Sequence, residues 1–131
     1  MKPLIVMPDA VAVIADYLRS ELGGVPVMSR VPNPRPRRFV QVSRVGGTAR
    51  TVVSDAPMLD IHAWDETDAD AADLIAMCRA LIAALRGVTG GVTVYGSAEV
   101  GGPQWLPDPD SSQPRYALAV QVHMRGRVLE R

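Results

Sequence analysis

The segment from Asp65 to Gly87 constrains the fold more than any other, because it is the longest stretch with regularly spaced apolar residues. These residues recur every three or four positions along one stripe: Leu74, Ile75, Cys78, Leu81, Ile82 and Leu85. Such spacing predicts an amphipathic α-helix. Thr67 is suited to cap its start with Asp70 at the third helical position, while Arg86 and Gly87 suit its end. A helix with one apolar stripe needs a second layer, and we expect it to lie on a β-sheet.

The rest of the chain predicts a second helix and five strands. Asp9 is suited to cap a first helix that runs to about Leu22. Short apolar runs and alternating apolar and polar residues predict strands at 25–30, 39–45, 58–64, 92–100 and 115–125. The element order is therefore α-β-β-β-α-β-β. This order is typical of an α+β fold, here a mainly antiparallel sheet of about five strands with two helices packed on one face.

Three connections are long for so small a protein. Prolines alternate with other residues over 31–38, which forbids a helix and favours an exposed, extended loop. Residues 46–57 form a long turn or the tip of an extended hairpin, and residues 101–114 form a loop rich in Gly, Pro, Asp and Ser. Trp105 and Leu106 stand in that last loop. An apolar pair in a polar loop needs burial, either against its own domain or against a neighbouring molecule.

Length and composition limit the class of protein. At 131 residues the chain fits one domain, residues 1–131, with one hydrophobic core. Fourteen basic residues balance fourteen acidic ones, which argues against a dedicated nucleic-acid-binding protein. The single cysteine gives no indication of an oxidising compartment, and no apolar stretch has the length of a signal peptide core or a membrane span. We therefore expect a soluble protein that is made and used in the cytoplasm.

The charged residues are unevenly distributed. No acidic residue lies between Glu21 and Asp55, and six basic residues fall there: Arg30, Arg35, Arg37, Arg38, Arg44 and Arg50. Acidic residues are concentrated at the start of the long helix: Asp65, Glu66, Asp68, Asp70 and Asp73. One interpretation is that the carboxylates favour the positive end of the helix dipole while the arginines are solvated. The other is that the basic loops of one molecule contact the acidic helix start of the next, which would close into a ring where the rotation allows.

No motif in the sequence indicates a catalytic, cofactor-binding or metal site. Cys78 lies on the apolar stripe of the long helix, where we expect it to be a core residue. Asp60 and His62 share a strand face, but a zinc site needs more ligands in register. Residues 108–112 resemble the opening of a calcium loop whose invariant glycine and bidentate glutamate are missing. A small hydrolase or ligand-binding domain that uses Asp60 and His62 is the remote alternative.

Six stretches, which together span almost the whole chain, resemble a known family. They are Pro8 to Val11, Arg30 to Pro36, Phe39 to Val42, Gly91 to Tyr95, Leu106 to Ser111 and Gln113 to Tyr116. In these stretches the chain resembles the tail terminator proteins of long-tailed bacteriophages, especially phages that infect actinobacteria. The resemblance implies a structural protein without a cofactor. It would form a ring, typically of six copies, at the head-proximal end of the tail tube in the virion, after assembly in the host cytoplasm.

The resemblance also implies a set of partners. These are further copies of the chain, the tail tube protein and a head connector or head-closure protein, while genomic DNA would pass through the ring without sequence-specific binding and no membrane is involved. Another phage neck protein of related fold is the alternative. We infer the residues at subunit or tube contacts from the loops and charges of this sequence, because the family has no fixed site motif. They are Arg30, Arg35, Arg37, Arg38, Arg50, Trp64, Asp65, Glu66, Asp68, Trp105 and Leu106.

Overall fold

The computed structural model describes residues 2–130, which form an α+β fold of two layers. The elements in chain order are β1 (Ile5–Val6), α1 (Ala10–Glu21), β2 (Val27–Met28), β3 (Phe39–Thr51), β4 (Ser54–Trp64), α2 (Asp68–Ala84), β5 (Gly87–Thr89), β6 (Val92–Trp105), β7 (Arg115–Arg125) and β8 (Arg127–Val128). The main sheet has the strand order β2-β3-β4-β7-β6-β5, and β1 pairs with β8 in a small second sheet. Every pair is antiparallel except β2 with β3. The predicted fold class is confirmed, with a sheet that is mixed because of this one pair.

Both helices begin at the residues that the sequence predicts. The side chain of Asp9 accepts a hydrogen bond from the backbone N–H of Ala12 at 3.1 Å, and that of Thr67 accepts one from Asp70 at 3.1 Å. Each cap satisfies one of the backbone donors that a helix start leaves without a partner. The end of α2 differs from the prediction. Leu85 already has an extended backbone and is buried, so the helix stops at Ala84 and the following residues begin β5.

The core lies between the two helices and the main sheet. Leu59, Ile61 and Ala63 of β4 are fully buried on the sheet face toward the helices, as their alternation predicts. They pack in one cluster with the apolar stripe of α2, which includes the fully buried Cys78. Burial raises the pKa of the Cys78 thiol to about 12, so the group stays protonated at neutral pH. The prediction that Cys78 is a core residue is confirmed.

The strands depart from the predicted ones in length and number. β3 and β4 continue into a hairpin that turns between Thr51 and Ser54. Of the two predictions for residues 46–57, a long turn or an extended hairpin, the structure therefore has the extended hairpin. β6 continues to Trp105 because its pairing with β7 resumes after register shifts, so residues 101–105 are strand where we expected loop. The segment predicted at 25–30 contributes only Val27–Met28. β1, β5 and β8 were not predicted, since two or three residues are too few to show an alternating pattern.

Neither helix within residues 2–130 has the length and apolar character that crossing a membrane requires.

Candidate assembly surfaces

An aromatic and arginine stack, which we call the loop clamp, covers the sheet face away from the helices near the end of β4. Phe39 and Trp64 are opposite each other in the β3–β4 ladder, and their rings stack with centroids 4.5 Å apart. The guanidinium of Arg35 lies 5.9 Å from the Phe39 ring centroid, and that of Arg115 lies 5.4 Å from the Trp64 ring centroid. Two cations therefore enclose two stacked rings, an arrangement that ring quadrupoles favour.

Asp108 completes the loop clamp. Its Oδ2 accepts hydrogen bonds from Trp64 Nε1 at 3.0 Å and from Arg35 Nη1 at 2.8 Å, while its Oδ1 accepts one from the Asp110 backbone at 2.9 Å. Burial alone would raise the pKa of Asp108, but the hydrogen bonds from Asp110, Trp64, Arg35 and Ser111 outweigh it and hold the pKa well below its usual range. The ionised carboxylate therefore joins the loop of residues 31–38 to the loop of residues 106–114.

Two further ion pairs hold the basic loop against the start of α2 in the same chain. Arg38 Nη1 lies 2.6 Å from Asp65 Oδ2, and Arg37 Nη1 lies 3.0 Å from Glu66 Oε1. Gln113 also donates from Nε2 to the Arg37 carbonyl oxygen at 2.8 Å. One of the two interpretations of the sequence placed these arginines against the acidic helix start of a neighbouring molecule. In the structure each of these pairs forms within one molecule. Phe39 is paired with Trp64, so the loop that ends at Arg38 lies next to the residues that follow β4.

The remaining predicted interface residues differ in exposure. Trp64 and Asp65 are buried, so the interpretation of Trp64 as a surface contact for a neighbour is wrong for this fold. Its position on the polar face of β4 gave no sign of the two loops that cover it. Trp105 is 43% exposed and lies edge-on against Tyr116, while Leu106 is partly buried. Exposed members of the set are Arg30, Arg35, Arg37, Arg50, Glu66 and Asp68.

The hairpin of β3 and β4 carries an apolar tip that sequence analysis missed. Val52 at the turn is 83% exposed, and Val45 and Val53 are also exposed. Behind the tip, Arg44 pairs with the buried Asp55 at 3.0 Å and donates to the carbonyl oxygen of Gly46. The signal was present in the sequence, since two consecutive valines are unusual at a hairpin turn, where polar residues and glycine dominate. We call residues 44–56 the hairpin arm, and its exposed apolar tip is suited to contact with another protein surface.

Asp60 and His62, the pair on which the remote alternative depends, lie close together on β4. Oδ2 of Asp60 lies 4.0 Å from Nε2 of His62, and the His62 ring packs against Trp64 with centroids 5.7 Å apart. Burial and the charge of Arg115 lower the pKa of His62, against the opposing effect of Asp60. Over the described part of the chain, no group of three or more His, Cys, Asp and Glu side chains is placed to hold a metal ion.

The lowered pKa of Asp108 predicts that the stability of this protein falls in acid. A carboxyl group whose pKa is lower in the folded state stabilises that state fully above its unfolded pKa of about 3.9, and this contribution disappears as the pH falls further. We therefore expect the free energy of unfolding to decrease between about pH 5 and pH 2, and the Asp108→Asn variant to show a smaller decrease over this range. Urea unfolding at several pH values measures both slopes. Asp110→Asn, which changes an exposed aspartate of the same loop, is the matched control, and equal slopes for Asp108→Asn and the wild type would contradict the expectation.

Comparisons with known proteins place these features in a family. A family model for phage tail termination proteins matches residues 6–127. A chain from a solved structure described as the virion of a native gene transfer agent particle has the same fold, with a TM-score of 0.63 at 17% sequence identity. That match covers 91% of the present chain and 100% of the other. Curated proteins give no match. Because the family match extends over nearly the whole sequence, the protein belongs to the phage tail termination family and is a structural protein of the phage tail.

Proposed function

We propose that this protein forms a ring on the head-proximal end of the tail tube. The ring ends tube polymerisation and provides the surface to which the head connector docks. The observation that carries this proposal is the pair of open edges on the main sheet. Within residues 2–130, β2 covers β3 only at Val40 and Gln41, and β5 covers β6 only over residues 92–94. The longer remaining parts of β3 and β6 have a strand partner on one side only.

Open edges of this length favour contact between copies. A strand edge presents unpaired backbone N–H and C=O groups, which are a template for pairing with another chain. The edges of β3 and β6 lie on opposite sides of the sheet and differ in sequence, so a contact between them is heterologous. Repeated heterologous contacts close into a ring when the rotation per copy permits. Six copies are the number that the family resemblance implies.

Exposed apolar side chains occur at both edges. Val45, Val52 and Val53 belong to the hairpin arm that continues β3, while Val100 and Trp105 belong to β6. Interfaces between subunits bury such side chains at their centre and are enriched in tryptophan. The loop clamp keeps the start of β3 and the loop after β6 in fixed positions, which reduces the entropy lost on assembly.

The remaining partners follow from the position of the ring. One surface contacts the tail tube protein, the other contacts the head connector or head-closure protein, and genomic DNA passes through the centre without sequence-specific binding. The protein acts in the virion without cofactor or turnover, after assembly in the host cytoplasm.

The exposed Trp105 offers a direct test of ring formation. We expect Trp105→Asp to convert the ring into monomers, because a charge at a buried interface position is not compensated there. Sedimentation or mass photometry of the purified protein measures the copy number, and electron microscopy shows whether rings are present. Trp105→Phe keeps an aromatic side chain and is the matched control, which should still assemble. Circular dichroism verifies that both variants fold.

A second measurement tests the place of the ring in the tail. Purified wild-type protein is added to growing tail tubes and, separately, to DNA-filled heads. Binding to the tube end with arrest of growth supports the proposal. Binding to heads but not to tubes identifies a different neck protein. In the preceding test, rings of the Trp105→Asp variant with the same mass as wild-type rings would exclude Trp105 from the interface.

A further inference from the structure

A basic pocket lies on the sheet face away from the helices, beside Arg50 and Ala56 of the hairpin arm. Its volume is about 200 Å³, and the polar groups that line it include Arg50, Arg86, Tyr95 and His123. His123 alternates along β7 with fully buried core residues, which places it on the outer face. Small residues such as Gly96 also line the pocket. None of the described residues that line the pocket is acidic.

Arg86 of the basic pocket, and Arg125 outside it, each donate a hydrogen bond to Tyr95. Arg86 Nη1 donates to the Tyr95 carbonyl oxygen at 3.3 Å, and Arg125 Nη1 donates to the Tyr95 hydroxyl at 3.2 Å. A Cβ atom at Gly96 would come within 3.1 Å of Arg86 Nη1, so the glycine lets the guanidinium lie against the strand. No ion pair involves Arg50, Arg86 or Arg125 among residues 2–130. Burial and the charge of Arg50 lower the pKa of His123, as expected in a region of positive potential.

Guanidinium groups in this arrangement are suited to a carboxylate. The planar fork of arginine binds carboxylates through two parallel hydrogen bonds, which are stronger than those between neutral groups. Arg35, Arg37 and Arg38 of the loop of residues 31–38 already have such partners inside the chain, whereas the arginines of the basic pocket do not have one within residues 2–130. The pocket therefore has the chemistry of a carboxylate site that needs an external partner.

The chain itself has an exposed acidic segment that a single molecule cannot bring to this pocket. Asp68, Asp70 and Asp73 are exposed at the start of α2, and none of the ion pairs within residues 2–130 uses them. Arg86 follows the opposite end of that helix. With 17 residues, α2 separates its two ends by about 25 Å. Complementary charges thus lie at opposite ends of one rigid element, where they can meet only between two copies.

We propose that the basic pocket of one copy receives the acidic start of α2 from a second copy. The contact rests on the proposed ring insofar as it supplies part of the heterologous interface that the ring repeats. It differs from the contact that the sequence suggests, because Arg50 acts together with Arg86 and the arginines in residues 31–38 take no part. It also assigns a role to the charge at the start of α2 beyond the helix dipole.

Cysteine cross-linking tests the contact directly. Arg86→Cys and Asp70→Cys are made in separate full-length chains, mixed, and oxidised mildly. Native Cys78 does not compete because it is fully buried. We expect a disulfide-linked species that contains one chain of each kind. A mixture of Arg86→Cys with Glu21→Cys is the matched control, since Glu21 is an exposed acidic residue on α1. Cross-linking of Asp70→Cys no greater than that of the control would overturn the proposal.

Charge reversal provides the second measurement. Arg86→Glu should weaken association at least about tenfold, which corresponds to about 1.4 kcal/mol. Adding Asp70→Arg to the same chain should restore it, since the pair is then reversed. Failure of this rescue in a folded double variant would count against the contact. Duplex DNA binding that depends on Arg86, with unchanged self-association of Arg86→Glu, would identify a phosphate site and also overturn it.

The outcomes for the ring and for the pocket are separable. Closed rings in which the Asp70→Cys and Arg86→Cys chains do not cross-link would refute the pocket contact and leave the ring intact. Cross-linked open chains in the absence of any closed ring would refute the proposed ring and support the contact.

Discussion

Replacing Trp64 by alanine should lower the free energy of unfolding by about 3–5 kcal/mol, the range observed for removal of a large aromatic side chain from a core. Trp64 is 1% exposed and stacks on Phe39, and its ring also lies under the guanidinium of Arg115. Its loss leaves a cavity and removes a hydrogen-bond donor from the buried Asp108. Because the total stability of such a domain is about 5–15 kcal/mol, this one change would leave it near its unfolding threshold.

Urea unfolding followed by circular dichroism measures the effect, since this signal does not depend on the fluorescence of the tryptophan that is removed. Trp64→Phe is the matched control. It keeps a stacked ring but loses the Nε1 donor, so we expect a smaller loss of about 1–3 kcal/mol. If Trp64→Ala cost less than Trp64→Phe, the loop clamp would not be the stabilising element that its geometry indicates.

Substituting Gly47 by alanine should disrupt the hairpin arm. The backbone of Gly47 has φ +86°, a conformation that costs other residues about 1–3 kcal/mol. A Cβ atom there would also lie 2.3 Å from the carbonyl oxygen of Ala56 and 2.6 Å from the backbone nitrogen of Met58. Both neighbours are backbone atoms of the paired strand, so β3 and β4 must separate to accept the methyl group. We expect the arm to lose its pairing while the core persists.

Amide hydrogen exchange measures this result, because protection should fall in residues 44–56 and remain in the strands of the core. Gly102→Ala is the matched control. Gly102 has no positive φ, and the nearest atom to its added methyl group is the side-chain Nη2 of Arg79 at 3.9 Å. Exchange rates in the arm of Gly47→Ala equal to those of the wild type would contradict the expectation. The arm carries the exposed valine tip, so Gly47→Ala should also reduce assembly.

Features that depend on local chemistry were predictable from the sequence. The caps at Asp9 and Thr67 need only a side-chain oxygen and a backbone N–H three residues away. The buried faces of α2 and β4 follow from the repeat of the helix and of the strand, so Leu59, Ile61 and Cys78 were identified as core. The resemblance to tail terminator proteins was likewise readable, and the family match over residues 6–127 confirms it.

Features that depend on distant parts of the chain were decided by the tertiary structure alone. Arg35 and Asp108 are 73 residues apart in the sequence, but in the fold Nη1 of Arg35 lies 2.8 Å from Oδ2 of Asp108. Trp64 alternates onto the polar face of β4 and is nevertheless buried, because two loops from elsewhere close over it. Side-chain type and spacing determine which face of an element is apolar. The way in which strand ends meet in space decides which loops cover the opposite face. It also decides which charges are already paired inside the molecule, and no local pattern contains that information.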